Sequence, residues 1–140
     1  MRFVSTTHVL DADRIKTFAQ QFDPQPFHLD EKAAENTYFG GLAASGWQVA
    51  AITMRLAVGD GAWVAGGFIG AGGDLAWPNP TRPGDALTVE CEIIEIKPSR
   101  SRPDRGIVIV RMETRNQRRE LAQVFTVRML TPQRGARSSS

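Results

Sequence analysis

The stretch Ser45-Gly46-Trp47-Gln48-Val49-Ala50-Ala51-Ile52-Thr53-Met54-Arg55-Leu56-Ala57-Val58 decides the fold. Trp47, Ala50, Ala51, Met54 and Val58 recur at helical spacing. Val49, Ile52, Leu56 and Ala57 fill the other faces, so Gln48, Thr53 and Arg55 are the only large polar breaks. A helix that is apolar nearly all round is a buried one. In a chain of 140 residues, burial on most sides requires something wrapped around it.

The sequence downstream supplies the wrapping. Leu87, Val89, Cys91 and Ile93 alternate with Thr88, Glu90 and Glu92, the period of two that marks a half-buried strand. Gly106 to Thr114 reads as a second strand, and Leu121, Gln123, Phe125, Val127 and Met129 mark one face of a third, with a hairpin turn at Arg115-Asn116-Gln117-Arg118. Phe68 to Trp77 is a further strand, stopped by Pro78-Asn79-Pro80. Upstream, residues 2–10 form a first strand. Asp11 then caps a helix whose apolar stripe is Ile15, Phe18, Ala19 and Phe22. Pro24 and Pro26 break that helix and hold the next segment extended. Asp30 caps another short helix through Tyr38, ahead of a Gly40-Gly41 turn.

These elements make an α+β domain, a curled antiparallel sheet wrapped around a long buried central helix. Such a sheet keeps an edge and the helix keeps a flank, so pairing with a second copy into a homodimer or larger homo-oligomer is expected. The domain spans residues 1–131, and residues 132–140, ending Arg-Ser-Ser-Ser, form a fraying polar tail.

Composition narrows the class. At 41% hydrophobic and 23% charged residues the chain can build a core, which excludes a disordered protein. A lone cysteine, Cys91, excludes a disulfide framework and a cysteine-based zinc site, and it falls on the apolar side of its strand. The uncharged run from Asn36 to Met54 is interrupted too often for a membrane span, and the start of the chain does not read as a signal peptide. A soluble cytoplasmic protein is the expectation.

Charge is uneven. Residues 1–97 hold 7 Lys/Arg against 12 Asp/Glu, whereas residues 98–140 hold 10 Arg against 3 acids. Arg100, Arg102, Arg105, Arg111, Arg115, Arg118 and Arg119 sit close together in sequence. Two readings stand side by side: a surface for phosphate, or solvated strand ends and loops. No aromatic residue lies between Arg100 and Arg119 to stack bases, which argues against nucleic acid.

The chemistry-bearing segment is Asp23-Pro24-Gln25-Pro26-Phe27-His28-Leu29-Asp30. It sets a carboxylate and an imidazole five residues apart, and proton transfer near neutral pH most often uses His with a carboxylate nearby. Composition alone leaves a second reading open, in which Asp23 caps and His28 is a packed loop histidine. Gly66-Gly67-Phe68-Ile69-Gly70-Ala71-Gly72-Gly73 lacks the G-x-G-x-x-G register of a dinucleotide site. His28 and Asp30 lack a matching ligand set for a metal, since the only other histidine is His8.

Phe22 to Trp47 resembles the signature of the MaoC-like dehydratases, the (R)-specific enoyl-CoA hydratase family of hotdog-fold proteins. Their pattern of Asp, any residue, Asn, Pro, apolar, His, apolar, Asp reads here as Asp23 through Asp30. Ala33-Ala34, Phe39 and Gly46 follow in the family's order, and Arg82-Pro83-Gly84-Asp85-Ala86-Leu87 is similar to its turn into the next strand. Gln25 stands where the family carries Asn, with the same donors and acceptors on a longer arm. The resemblance implies reversible syn addition of water to a trans-2-enoyl-CoA, giving a (3R)-3-hydroxyacyl-CoA. Asp23 and His28 would hold and activate the water, with Asp23 as base. It implies no cofactor, coenzyme A entering as part of the substrate, and no metal.

Gly46, Gln25 and Ser45 are the substrate-positioning candidates. The Gly46 N–H, at the start of the central helix, would face the enolate oxygen; the competing reading is a glycine kept for close packing. Ser45 reads as an N-cap rather than a nucleophile, because no base is identifiable beside it. Trp47 is expected to narrow the acyl tunnel and favour short or unusual acyl groups. The alternatives are a hotdog thioesterase, disfavoured because Ser45 to Val58 holds no Asp or Glu, and a non-catalytic acyl-CoA-binding module.

Overall fold

The computed structural model describes residues 2–59, 69–98 and 105–132. Chain order is β1 (Arg2–Val9), α1 (Ala12–Phe22), α2 (Pro26–Leu29), α3 (Glu31–Ala34), α4 (Gly46–Gly59), β2 (Ile69–Ala76), β3 (Ala86–Pro98), β4 (Arg105–Arg115) and β5 (Leu121–Pro132). The five strands form one sheet in the order β1-β3-β4-β5-β2, antiparallel at every pairing. The sheet curls over α4, and the core between them includes Val49, Ile52 and Leu56 of the helix and Leu87, Val89, Val110, Met112, Val127 and Met129 of the sheet. This is the expected sheet-wrapped helix. Phe68 and the tail from residue 133 onward lie outside the described residues.

Local chemistry explains the elements before the sheet. Asp11 Oδ1 accepts the Arg14 N–H at 2.8 Å and caps α1, which buries Ile15 and Ala19. Phe22 ends the same stripe yet is 68% exposed, because it sits on the last turn, beyond the reach of the core. The segment after it is not extended as expected. Pro26 stands at N1 of α2, where its missing N–H costs nothing and its fixed φ suits a helix, so Pro26–Leu29 forms a helical turn. Asp30 Oδ2 accepts the Ala33 N–H at 2.9 Å, but the helix it caps stops at Ala34 rather than reaching Tyr38.

The central helix is turned differently from its sequence reading. Gln48 and Thr53, the apparent polar breaks, are buried, whereas Trp47, Ala51 and Val58 of the apolar stripe are exposed. Hydrogen bonds offset part of the cost. Gln48 Nε2 donates to Arg14 O at 3.1 Å, although its buried Oε1 has no partner among the described residues. Thr53 Oγ1 donates to Val49 O at 2.8 Å and accepts from Gln123 Nε2 at 3.1 Å. Hydrophobicity counts could not foresee partners donated by other elements.

The glycines of β2 answer to β5. Between Gly70 and Gly72 the register slips, with Gly72 at φ +128°. A Cβ on Gly73 would collide with Thr126 O and lie 2.9 Å from Val127 Cα. On the sheet face turned away from α4 and in the turn after β4, four arginines are paired with acids. Arg115 reaches Glu90 and Glu113 at 3.3 and 3.0 Å, Arg119 reaches Glu90 at 2.9 Å, Arg111 reaches Glu113 at 3.2 Å, and Arg118 reaches Glu120 at 3.0 Å. That pairing favours the solvated-surface reading of these four. Arg100, Arg102 and the Arg105 side chain lie outside the described residues.

Candidate functional site

The helical turn α2 brings the expected pair together. Asp23 closes α1 through its N–H to Ala19 O, and α2 then turns His28 back toward it. His28 Nε2 lies 3.3 Å from Asp23 Oδ2, and both side chains are largely buried. His28 Nδ1 donates to Ala43 O at 2.6 Å, since a carbonyl can only accept. In the neutral imidazole the bond to Ala43 therefore leaves Nε2 as the basic nitrogen, facing a carboxylate that also accepts. A proton, or the hydrogens of a water, reconciles the two.

Asp23 is further held by its neighbours. Ser45 Oγ donates to Oδ2 at 2.7 Å, and Gln25 Nε2 donates to Oδ1. Burial works to raise the Asp23 carboxyl, but the hydrogen bonds from Ser45 and Gln25 and the neighbouring His28 outweigh it and hold the group below its ordinary value. Asp23 is therefore ionised at neutral pH. Ser45 performs two tasks at once: its hydroxyl accepts the Trp47 N–H at 3.2 Å, and its carbonyl accepts the N–H groups of Gln48 and Val49. It caps α4 while fixing the carboxylate, as expected of an N-cap.

A cavity of about 470 Å³ opens beside the pair, walled by Gln25, Phe27, His28, Phe39, Gly46 and Trp77 among others. Asp23 is not part of that lining; its carboxylate meets the cavity through His28 and Gln25. The lining is a partly polar, partly aromatic concavity of the size that holds small ligands. Gly46 places the first turn of α4 against it, where a helix N-terminus favours negative charge. The competing packing role is also real: a Cβ on Gly46 would stand 2.5 Å from the Trp77 ring.

Thus Asp23, His28, Gln25 and Ser45 form one hydrogen-bonded group, with Gly46 at the cavity beside it. Trp47 does not narrow the cavity as expected. It is 60% exposed, stacked edge-on against Trp77 with centroids 5.3 Å apart, and it is Trp77 that forms the wall. Two other contributors escaped the sequence reading. Ala43 acts through its carbonyl, which no side-chain pattern reveals. Arg82 donates to the carbonyls of Phe39, Gly41 and Leu42, tying down the strap that carries Phe39 and leads into Ala43. Its place in the Arg-Pro-Gly-Asp turn was the available signal.

Cys91 is buried and its thiol is pushed up to about 11 by burial, in keeping with an inert core position. Among the described residues no cluster of three or more His, Cys, Asp or Glu could hold a metal ion, and no helix is long and apolar enough to cross a membrane.

Residues 2–116 match the family described as the MaoC like domain. A MaoC-like dehydratase from Rhodospirillum rubrum of known crystal structure superposes with a TM-score of 0.93 at 57% identity, over 96% of this chain and 92% of that one. The (R)-hydratase PhaJ1 from Pseudomonas aeruginosa shares the fold, with a TM-score of 0.75 at 24% identity over 95% and 81% of the two chains. The uncharacterised protein YdeM of Bacillus subtilis strain 168 is 35% identical over 113 residues, which cover 76% of this chain and 74% of that protein. With the sheet-wrapped helix, the motif and these matches in agreement, the chain belongs to the MaoC-like dehydratase family and has the hotdog fold.

Proposed function

We propose that the protein is an acyl-CoA hydratase/dehydratase, adding water reversibly and syn to a trans-2-enoyl-CoA to give a (3R)-3-hydroxyacyl-CoA. The observation that carries this reading is the acid–base pair beside the cavity: an ionised Asp23 3.3 Å from His28 Nε2, the nitrogen left without a proton when Nδ1–H donates to Ala43. A water donating its hydrogens to Asp23 Oδ2 and His28 Nε2 keeps an oxygen lone pair for C3 of the thioester. As the C3–O bond forms, one of the pair takes a water proton and a proton is delivered to C2 from the same side. Elimination runs the same steps backwards. Should His28 receive the proton, its imidazolium stands at ion-pair distance from Asp23, so the pair shares one mobile proton.

Charge developing on the thioester oxygen is met by the Gly46 N–H and the first turn of α4. Gln25 holds Asp23 and borders the cavity, and Ser45 orients the carboxylate. The reaction needs no cofactor beyond the coenzyme A of the substrate. Pairing with a second copy accompanies this reading: β2 is exposed along nearly its whole length at the sheet edge, with Ile69 of that strand and Trp47 and Val58 of α4 as exposed apolar side chains.

The test is crotonyl-CoA with wild-type and D23N protein, following loss of the conjugated enoyl thioester by ultraviolet absorbance. Turnover that D23N lowers by about 10²-fold or more matches a general acid–base group. Release of free coenzyme A thiol, without hydration, would put a thioesterase in its place. Binding with neither reaction would leave an acyl-CoA-binding module.

A further inference from the structure

The interior of the sheet holds a polar chain that a hydrophobic core does not require. Trp77 Nε1–H donates to Gln123 Oε1 at 2.9 Å. Gln123, fully buried, donates from Nε2 to Thr53 Oγ1 at 3.1 Å. Thr53 spends its own proton on Val49 O, so the 2.6 Å contact between Thr53 and Thr114 is donated by Thr114. Gln123, Thr53 and Thr114 are all buried, and the chain runs from β4 and β5 through α4 out to Trp77. Buried polar groups are costly unless satisfied, and a satisfied network selects a single arrangement. The arrangement selected here is that of the Trp77 indole. It lies flush on Gly46, where even a methyl group would stand 2.5 Å from the ring, and it walls the cavity on that side.

We infer that Trp77, pinned by Gln123, is the wall that ends the acyl chamber and restricts the substrate to short acyl thioesters; this rests on the hydratase reading above. Gly46 is the residue assigned to the thioester oxygen, so an indole packed against it bounds the space open to the carbons beyond C3. Trp77 is 40% exposed, but its indole N–H holds a fully buried amide, so the ring cannot swing aside for a longer chain without stranding the Gln123 oxygen. Trp77 is thus a specificity-determining residue, and Gln123 is its positioning residue. Trp47 braces the indole edge-on.

The experiment compares wild-type, W77F, W77A and Q123L proteins in kcat/KM for crotonyl-CoA and trans-2-octenoyl-CoA. Calorimetric binding of butyryl-CoA and octanoyl-CoA, which have no double bond to hydrate, is measured alongside, and thermal melts establish folding. The wild type should favour the four-carbon ligands by about tenfold or more. W77A should lower that ratio by about tenfold or more through gain on the eight-carbon ligands, and Q123L should move it the same way by less. W77F, which keeps a ring against Gly46 but loses the bond to Gln123, should fall between wild type and W77A. A folded W77A with the wild-type ratio overturns the inference. So does a wild type that prefers eight carbons or binds neither saturated ligand. Where W77A does not fold, Q123L decides, and an unchanged ratio there overturns it equally. A four-carbon preference in binding without turnover of either enoyl-CoA upholds the wall and removes the hydratase reading.

Discussion

Ser45 shows how much one side chain carries when it faces two ways. Its hydroxyl donates to Asp23 and accepts from the first turn of α4, so the helix that closes the cavity and the carboxylate beside it share an anchor. Removing it has a signed consequence. Ser45 is one of the groups holding the Asp23 carboxyl low, so S45A should raise it and move the acid limb of the kcat/KM profile toward neutral pH. Activity at the optimum should fall roughly 10-fold to 100-fold, the scale of one lost hydrogen bond to a charge. A pH–rate profile measured on both proteins checks this; a loss of rate with an unmoved acid limb would assign Ser45 to capping alone. The motif residues were legible in sequence because Asp, Gln, Pro and His lie within six positions. The Ala43 carbonyl was not, because any residue supplies one. Trp77 and Gln123 stand 46 residues apart, so no local pattern joins them.

At the scale of elements, β2 and α4 show opposite relations to their sequences. The segment of β2 reads as a strand in the sequence, but nothing there shows that β5 passes so closely that Gly73 must be glycine. G73A should cost about 3 kcal/mol or more, since the added Cβ meets backbone rather than a side chain able to move. A denaturant titration showing a loss under about 1 kcal/mol would mean the strand can shift, and the account of β2 would fall. In α4 the helical period was read correctly and its facing was not. Thr53 and Gln48 turn inward because β4, β5 and α1 supply partners, and the apolar stripe is left on the outside. The short α2 repeats the lesson, since a proline that breaks one helix sat at the first position of the next.

Across the whole molecule, Arg111, Arg115, Arg118 and Arg119 of the arginine-rich C-terminal half meet acidic partners. The Arg119 hydrogen bond, against burial and aided by Arg115, holds the Glu90 carboxyl below its ordinary value. A carboxyl lowered by folding adds stability above its unfolded value, about 4.3 for Glu, and loses it as pH falls through the folded value. Thermal melts should therefore show E90Q less stable than wild type at neutral pH by about 1 kcal/mol at most, given the exposed Arg119. The gap should close as pH drops below about 4. A gap that persists in acid would mean that Glu90 acts through packing.

Residue order by itself determined the sheet-wrapped helix, the strand alternation, the capping aspartates and the Asp23–His28 motif. Each of these is written in periodicity or in neighbours a few positions apart, where backbone geometry fixes what meets what. Only the tertiary structure decided which face of α4 is buried, that Trp77 rather than Trp47 walls the cavity, and that Arg111, Arg115, Arg118 and Arg119 are paired with acids. Those outcomes depend on hydrogen bonds and ion pairs between residues brought together by folding, and their energies have no local signature in the chain.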